Sequence, residues 1–123
     1  MSREIKFRAW VKELKKLSAV NEFYFTGGTY VCDYEYALDP EDIELMQYTG
    51  LKDRNGVEIY EGDIVNHSKQ GNLIVKYGNK HFDYAGFTLI NSSGMTNTLQ
   101  NPYIYEVIGN IYEDPELLKP CNS

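Results

Sequence analysis

Leu45-Met46-Gln47-Tyr48-Thr49-Gly50-Leu51-Lys52-Asp53-Arg54-Asn55-Gly56-Val57-Glu58-Ile59-Tyr60-Glu61-Gly62-Asp63-Ile64-Val65 holds three extended apolar runs separated by two short turn signals. Asp53-Arg54-Asn55-Gly56 is a tight turn, because Asn and Gly both tolerate positive φ and a short Asp side chain bonds nearby amides. Tyr60-Glu61-Gly62-Asp63 is a second, with Gly62 where a sharp change of direction needs positive φ and Asp63 where it can accept from the turn's own N–H groups. Strands this short, with turns this close, specify antiparallel β-structure.

The pattern continues in both directions. Gln70-Gly71-Asn72, Gly78-Asn79 and Asn91-Ser92-Ser93-Gly94 divide the later chain into expected strands at Leu73–Tyr77, Phe82–Ile90 and Tyr103–Tyr112, with Val57–Tyr60 and Ile64–His67 before them. Upstream, Ile5, Phe7, Ala9 and Val11 alternate with Lys6, Arg8, Trp10 and Lys12, the period of a strand with one buried face. Ala19 to Thr26 is apolar and aromatic, Gly27-Gly28 reads as a hairpin turn, and Thr29 to Tyr36 alternates so that Tyr30, Cys32, Tyr34 and Tyr36 share a face. Asp39-Pro40-Glu41-Asp42 and Asp114-Pro115-Glu116-Leu117-Leu118 read as short capped helical turns. With no crossover helices the sheet is antiparallel.

The chain has 123 residues, 42% of them hydrophobic, with 18 acids against 12 bases. That length and composition exclude disorder and a disulfide-framed miniprotein. No apolar run reaches the roughly 20 residues of a membrane helix, and Met1–Lys6 lacks the apolar core of a signal peptide, so a cytoplasmic protein is expected. Cys32 and Cys121 are expected to be reduced thiols. The net charge of -6 is unevenly spread: residues 1–16 carry +4, residues 17–63 carry -9, and the rest carry -1. The simplest reading has the basic arm and the acidic segment neutralising one another within or between chains.

Chemistry is sparse. Asp53-Arg54-Asn55-Gly56 fails as a calcium loop because its glycine is fourth, not sixth. Neither His67 nor His81 has a second ligand at metal-binding spacing, and Gly27-Gly28 is followed by no helix or lysine to hold a phosphate. The carboxylate pairs Asp33/Glu35 and Glu61/Asp63 read as a solvated acidic face rather than a glycosidase pair. Asn66-His67-Ser68 and Asn91-Ser92-Ser93 match a glycosylation acceptor but mean nothing without secretion. No catalytic, metal or cofactor residue is expected. The tyrosines are less ordinary: with Trp10, Tyr24, Tyr30, Tyr34 and Tyr36 form a candidate protein interface, since half-buried tyrosine at a wet rim suits that role.

Two blocks, Arg3-Glu4-Ile5-Lys6-Phe7-Arg8-Ala9-Trp10 and Leu45 through Val65, with Tyr105-Glu106-Val107-Ile108-Gly109-Asn110-Ile111-Tyr112-Glu113 and Pro115-Glu116-Leu117-Leu118, resemble the YopX family of phage and prophage proteins. The resemblance implies an SH3-like small barrel preceded by an N-terminal antiparallel β-hairpin element, no enzymatic activity, no cofactor and no catalytic residues to carry over. The expected division is 1–43 as the N-terminal β element and assembly region, 44–113 as the barrel, and 114–123 as a tail. Gly50, Asp53, Asn55, Gly56, Gly62, Asp63 and Gly109 are expected to be architectural. The expected function is a non-enzymatic accessory protein acting through contact with host or phage proteins and through self-association as a homo-oligomer. Two alternatives are a nucleic-acid-associated module using Trp10, Arg3, Arg8, Lys6 and Lys12, and an acidic DNA mimic using Asp33, Glu35, Glu41, Asp42 and Glu44. The acidic bulk makes nucleic acid the weaker partner.

Overall fold

The structure is a computed structural model that describes residues 5–25, 27–79, 84–91, 96–99 and 101–118. Arg3, His81 and Cys121 lie outside the described residues, as do the Asn91–Gly94 turn beyond Asn91 and Phe82 at the head of its expected strand. The protein is all-β, with eleven strands among the described residues, in order β1 Phe7–Val11, β2 Lys16–Tyr24, β3 Thr29–Cys32, β4 Tyr36–Leu38, β5 Ile43–Lys52, β6 Glu58–Tyr60, β7 Asp63–His67, β8 Gly71–Asn79, β9 Tyr84–Ile90, β10 Thr96–Thr98 and β11 Glu106–Asn110. They form two antiparallel sheets, ordered β4-β3-β2-β1-β5-β6 and β10-β9-β8-β7-β11, neither closed on itself. The only helical pieces among the described residues are 3-10 turns at Pro40–Asp42, Pro102–Ile104 and Pro115–Leu118. Two compact units divide the chain at Tyr48/Thr49, inside β5.

In the first unit, β1 pairs with β2 from Phe7↔Val20 to Val11↔Lys16 and with β5 from Phe7↔Gln47 to Val11↔Ile43. Its core is Ala9, Val11, Cys32 and Ile43, with Val20, Tyr30, Tyr36 and Leu38 packed around them. Only four residues join β4, at one edge, to β5 beyond β1, and Lys12 N–H donates to Asp42 O at 3.1 Å. The sheet must therefore curl around its own core, because a flat sheet would put these edges several strand spacings of about 4.8 Å apart.

The expected single strand Thr29–Tyr36 is broken. Asp33 and Tyr34 take φ of 55° and 56°, and Glu35 N–H closes the turn on Cys32 O at 3.0 Å, so β3 reverses into β4. Tyr34 leaves the shared face and stands in the turn, whereas Tyr30 and Tyr36 remain on the face of Cys32. Two consecutive left-handed residues are costly for side chains other than Gly, and three contacts hold them. Asp33 N–H donates to Ala19 O at 2.9 Å. The Asp33 carboxylate accepts from Ala19 N–H at 3.1 Å, and Asn21 Oδ1 accepts from Tyr34 N–H at 2.7 Å. Asn21 reaches the turn because it is the extra residue of a bulge, between the pairs Val20↔Cys32 and Glu22↔Val31.

The second unit packs Ile59, Val65, Leu73, Val75, Leu89, Leu99 and Tyr105 into one core, supported by Leu51, Phe87 and Val107. Each aliphatic side chain buried here contributes about 1.5–3 kcal/mol relative to exposure. The expected strand Tyr103–Tyr112 starts later, since Pro102–Ile104 winds into a 3-10 turn with Asn101 Oδ1 accepting from Tyr103 N–H at 3.3 Å. The C-terminal turn Pro115–Leu118 is fastened by Asn72 Nδ2, which donates to Leu117 O at 2.7 Å.

Candidate functional site

The residues expected to be architectural lie in the second unit, at the β5–β6 and β6–β7 turns and, for Gly50 and Gly109, within β5 and β11. At the β5–β6 turn, Gly56 has φ +81° and its N–H donates to Asp53 O at 3.0 Å. Asp53 is only 2% exposed. Its Oδ1 accepts from Asn55 N–H at 2.8 Å and Val57 N–H at 2.9 Å, while Oδ2 accepts from Val107 N–H at 2.8 Å. Burial alone would raise the carboxyl's pKa; the three amides and nearby Arg54 outweigh it and hold it below the usual carboxylate range. Arg54 N–H also donates to Tyr105 O at 3.1 Å, so this turn is stitched by backbone to the residue that enters β11 and by side chain to β11 itself. On the surface above, Glu106 accepts from Arg54 Nη2 at 3.0 Å and from Asn55 Nδ2 at 3.2 Å.

At the β6–β7 turn, Gly62 has φ +85° and Asp63 Oδ2 accepts from Tyr60 N–H at 2.7 Å. The Gly62 peptide is gripped on both sides: its N–H donates to Val75 O at 2.8 Å, and its carbonyl accepts from Ile111 N–H at 2.9 Å. Gly50, within β5, has φ +86°. Gly109 is constrained differently. A Cβ there would lie 2.5 Å from Asp114 Oδ2, because that carboxylate folds back to accept from Asn110 N–H at 3.2 Å. Asn110 organises this end: its Oδ1 accepts from Tyr112 and Glu113 N–H at 3.0 and 2.9 Å. Sequence reasoning passes over Asn110, although an Asn just before an expected turn is the available signal.

The five residues expected at an interface are not gathered on one face. By register, Tyr30 and Tyr36 lie on the core side of the first sheet, Trp10 and Tyr24 on the opposite side, and Tyr34 in the β3–β4 turn. Lys16 Nζ lies 5.1 Å from the Tyr36 ring centroid and 3.4 Å from Asp33 Oδ2. Asp33 is held below the usual carboxylate range by the Ser18 hydroxyl first, then by Ala19 N–H and Lys16. Ser18 Oγ has no partner at full hydrogen-bonding geometry, so the directional support rests on Ala19 and Lys16. Lys12 Nζ is 3.5 Å from Glu44 Oε1 and donates to Glu41 O at 3.0 Å. Bases of the arm thus meet acids of the following segment within one chain.

Tyr34 is exposed in its turn, and a cluster of exposed aromatic side chains lies at the tip of the β2–β3 hairpin. Phe25 is 90% exposed, Tyr24 54% and Phe23 39%. Phe23 meets Phe25 edge-on with centroids 5.0 Å apart, and Tyr30 at 4.6 Å. Phe23, Tyr24, Phe25 and Thr29 line a shallow surface pocket. The Tyr24 hydroxyl donates to Glu22 Oε2 at 2.6 Å, and this bond, with the charge of Glu22, raises the Tyr24 pKa. A reading centred on the tyrosines misses Phe23 and Phe25; three consecutive aromatics shortly before Gly27-Gly28 are the signal that could find them. Cys32 is a buried free thiol whose pKa is raised by burial first and by Asp33 second.

Among the described residues, no group of three or more His, Cys, Asp or Glu side chains is placed to hold a metal ion. His67 Nδ1 accepts from Lys69 and Gln70 N–H, each at 3.1 Å, so that nitrogen serves the β7–β8 turn. No helix among the described residues is long and apolar enough to cross a membrane.

No curated protein matches the chain. Among solved structures, it is similar to protein EF1440 from Enterococcus faecalis, with 28% identity over 96% of this chain and 100% of that one, at a TM-score of 0.59. The model of the YopX protein family matches residues 6–119, nearly the whole length, and the chain belongs to that family.

Proposed function

We propose that this protein is a non-enzymatic accessory protein of phage or prophage origin, working in the host cytoplasm through contact with other polypeptides and through self-association. The observation that carries the reading is the exposed aromatic tip, with Phe25 90% exposed beside Tyr24 and Phe23. Aromatic side chains concentrate at interface cores, and water-exposed rings with neighbours in edge-on contact are pre-ordered for that use. Sedimentation at low and high salt is the test. Assembly at micromolar concentration, weakened by Phe25→Ser, is the expected result; a monomer under both conditions sinks the self-association claim.

We read residues 44–113 as an SH3-like barrel. The stitches from Asp53 and Arg54 to β11, and the packing of Leu51 and Ile59 with residues of the second sheet, support that reading. An experimental structure in which Val107 N–H bonds elsewhere removes its main support. The nucleic-acid and DNA-mimic alternatives rank lower, because Lys12 and Lys16 are committed to Glu44 and Asp33 and because Asp42 Oδ2 accepts from Asp39 N–H. Reproducible hydrolase turnover lost in His67→Ala would overturn the non-enzymatic reading.

A further inference from the structure

Asn55-Gly56 is the one Asn-Gly pair in the sequence. Such a pair loses ammonia without an enzyme, because glycine has no Cβ to keep its peptide nitrogen away from the preceding side-chain amide. The β5–β6 turn presents the pair to water: Arg54, Asn55, Gly56 and Val57 are all exposed, and a Cβ at Gly56 would meet nothing within 4 Å. Three hydrogen bonds hold it. Asn55 N–H donates to Asp53 Oδ1 at 2.8 Å, Gly56 N–H to Asp53 O at 3.0 Å, and Asn55 Nδ2 to Glu106 Oε2 at 3.2 Å. Asp53 is also the buried acceptor that reaches Val107 N–H, so an exposed reactive pair and a buried joint of the second unit hang on one side chain.

We propose that Asn55 is a site of spontaneous deamidation, that the folded turn restrains the reaction through Glu106 and Asp53, and that its isoaspartyl product releases the grip of Asp53 on the turn. The Gly56 nitrogen gives its proton to solvent and bonds to Asn55 Cγ, the Cγ–Nδ2 bond breaks, and Nδ2 leaves as ammonia. Water then opens the succinimide. Hydrolysis at Cγ leaves aspartate, whereas hydrolysis at the main-chain carbonyl leaves isoaspartate, whose backbone runs through Cβ and is one methylene longer. While Gly56 N–H is engaged by Asp53 O, cyclisation waits on local opening of the turn, an event of low cost where the residues are exposed. Either product puts a carboxylate where Asn55 Nδ2 met Glu106, and like charges repel. Isoaspartate goes further, since the added methylene carries Gly56 N–H and Val57 N–H out of register with the two oxygens of Asp53 that they serve.

The full chain is incubated at neutral pH and body temperature, and its peptides are mapped by mass spectrometry that separates aspartate from isoaspartate. Asn55 is expected to convert before every other asparagine. Glu106→Ala is expected to speed conversion at Asn55 about threefold, the scale of one solvent-accessible hydrogen bond, and to leave the rates at the other asparagines where they were. Aged wild type is expected to unfold at a lower urea midpoint than fresh protein, while aged Asn55→Gln, whose longer side chain does not close that ring, keeps the midpoint of its fresh form. Earlier conversion at another asparagine, or an unchanged rate at Asn55 in Glu106→Ala, overturns the proposal. So does an aged wild type, converted at Asn55, that unfolds at the midpoint of fresh protein.

Discussion

Asp53 and Asp33 both sit at a β-turn and both accept backbone N–H groups, yet they work at different depths. Asp53 is 2% exposed and joins three amides from two parts of the second unit, whereas Asp33 accepts one backbone N–H and one lysine at an exposed turn of the first. A buried acceptor that is removed leaves its donors dry and unpaired; an exposed one is replaced by water. The same side chain is therefore a keystone in one unit and a local brace in the other.

Four single substitutions and one double variant test the two cases. Asp53→Ala is expected to cost about 3 kcal/mol, since it removes a buried charged acceptor shared by three N–H groups, among them that of half-buried Val107, and urea unfolding measures it; a loss near that of an exposed turn would refute the contrast. Gly109→Ala comes next, at about 2 kcal/mol, because the new methyl collides with Asp114. Combining it with Asp114→Ala should return part of that loss, a coupling readable from a double-mutant cycle. Asp33→Ala is expected to cost about 1 kcal/mol, the scale of a solvent-accessible turn contact. Tyr34→Gly is smallest and opposite in sign. Relief of the left-handed strain, about 1–2 kcal/mol, exceeds the roughly 0.5–1 kcal/mol of extra unfolded-state entropy, so a stabilisation of about 0.5 kcal/mol should appear.

Acid sharpens the comparison further. Both carboxyls are held below their ordinary value in the folded protein, so their stabilisation is fully present above about pH 4 and is lost as pH falls through the lower folded values. Denaturation midpoints measured from pH 7 downward should fall steeply in the wild type and less steeply in Asp53→Asn. Asp33→Asn should change that slope less, because solvent screens its exposed partners.

Much of the second unit is legible in the order of its residues. The turn chemistry of Asp53-Arg54-Asn55-Gly56 and Tyr60-Glu61-Gly62-Asp63 is local, and the φ values of Gly56 and Gly62 follow from it. The bond from Asp53 to Val107 is not legible there, since the two residues are 54 apart in sequence and only the folded chain brings them together. The break at Asp33-Tyr34 is hidden for a related reason. Thr29–Tyr36 alternates as a strand should, and what reverses it is Asn21 on a neighbouring strand, freed by a bulge.

The sequence by itself determined the all-β class, the positions of the tight turns and the family, because each depends on residues adjacent in the chain or on short matched blocks. Tertiary structure decided which aromatic residues face solvent. Tyr30 and Tyr36 were gathered round a core while Phe23, Tyr24 and Phe25 were left at a hairpin tip, and this choice depends on strand register and sheet curvature. Alternation gives two faces to every strand; only the neighbouring strands decide which face is buried and where burial stops.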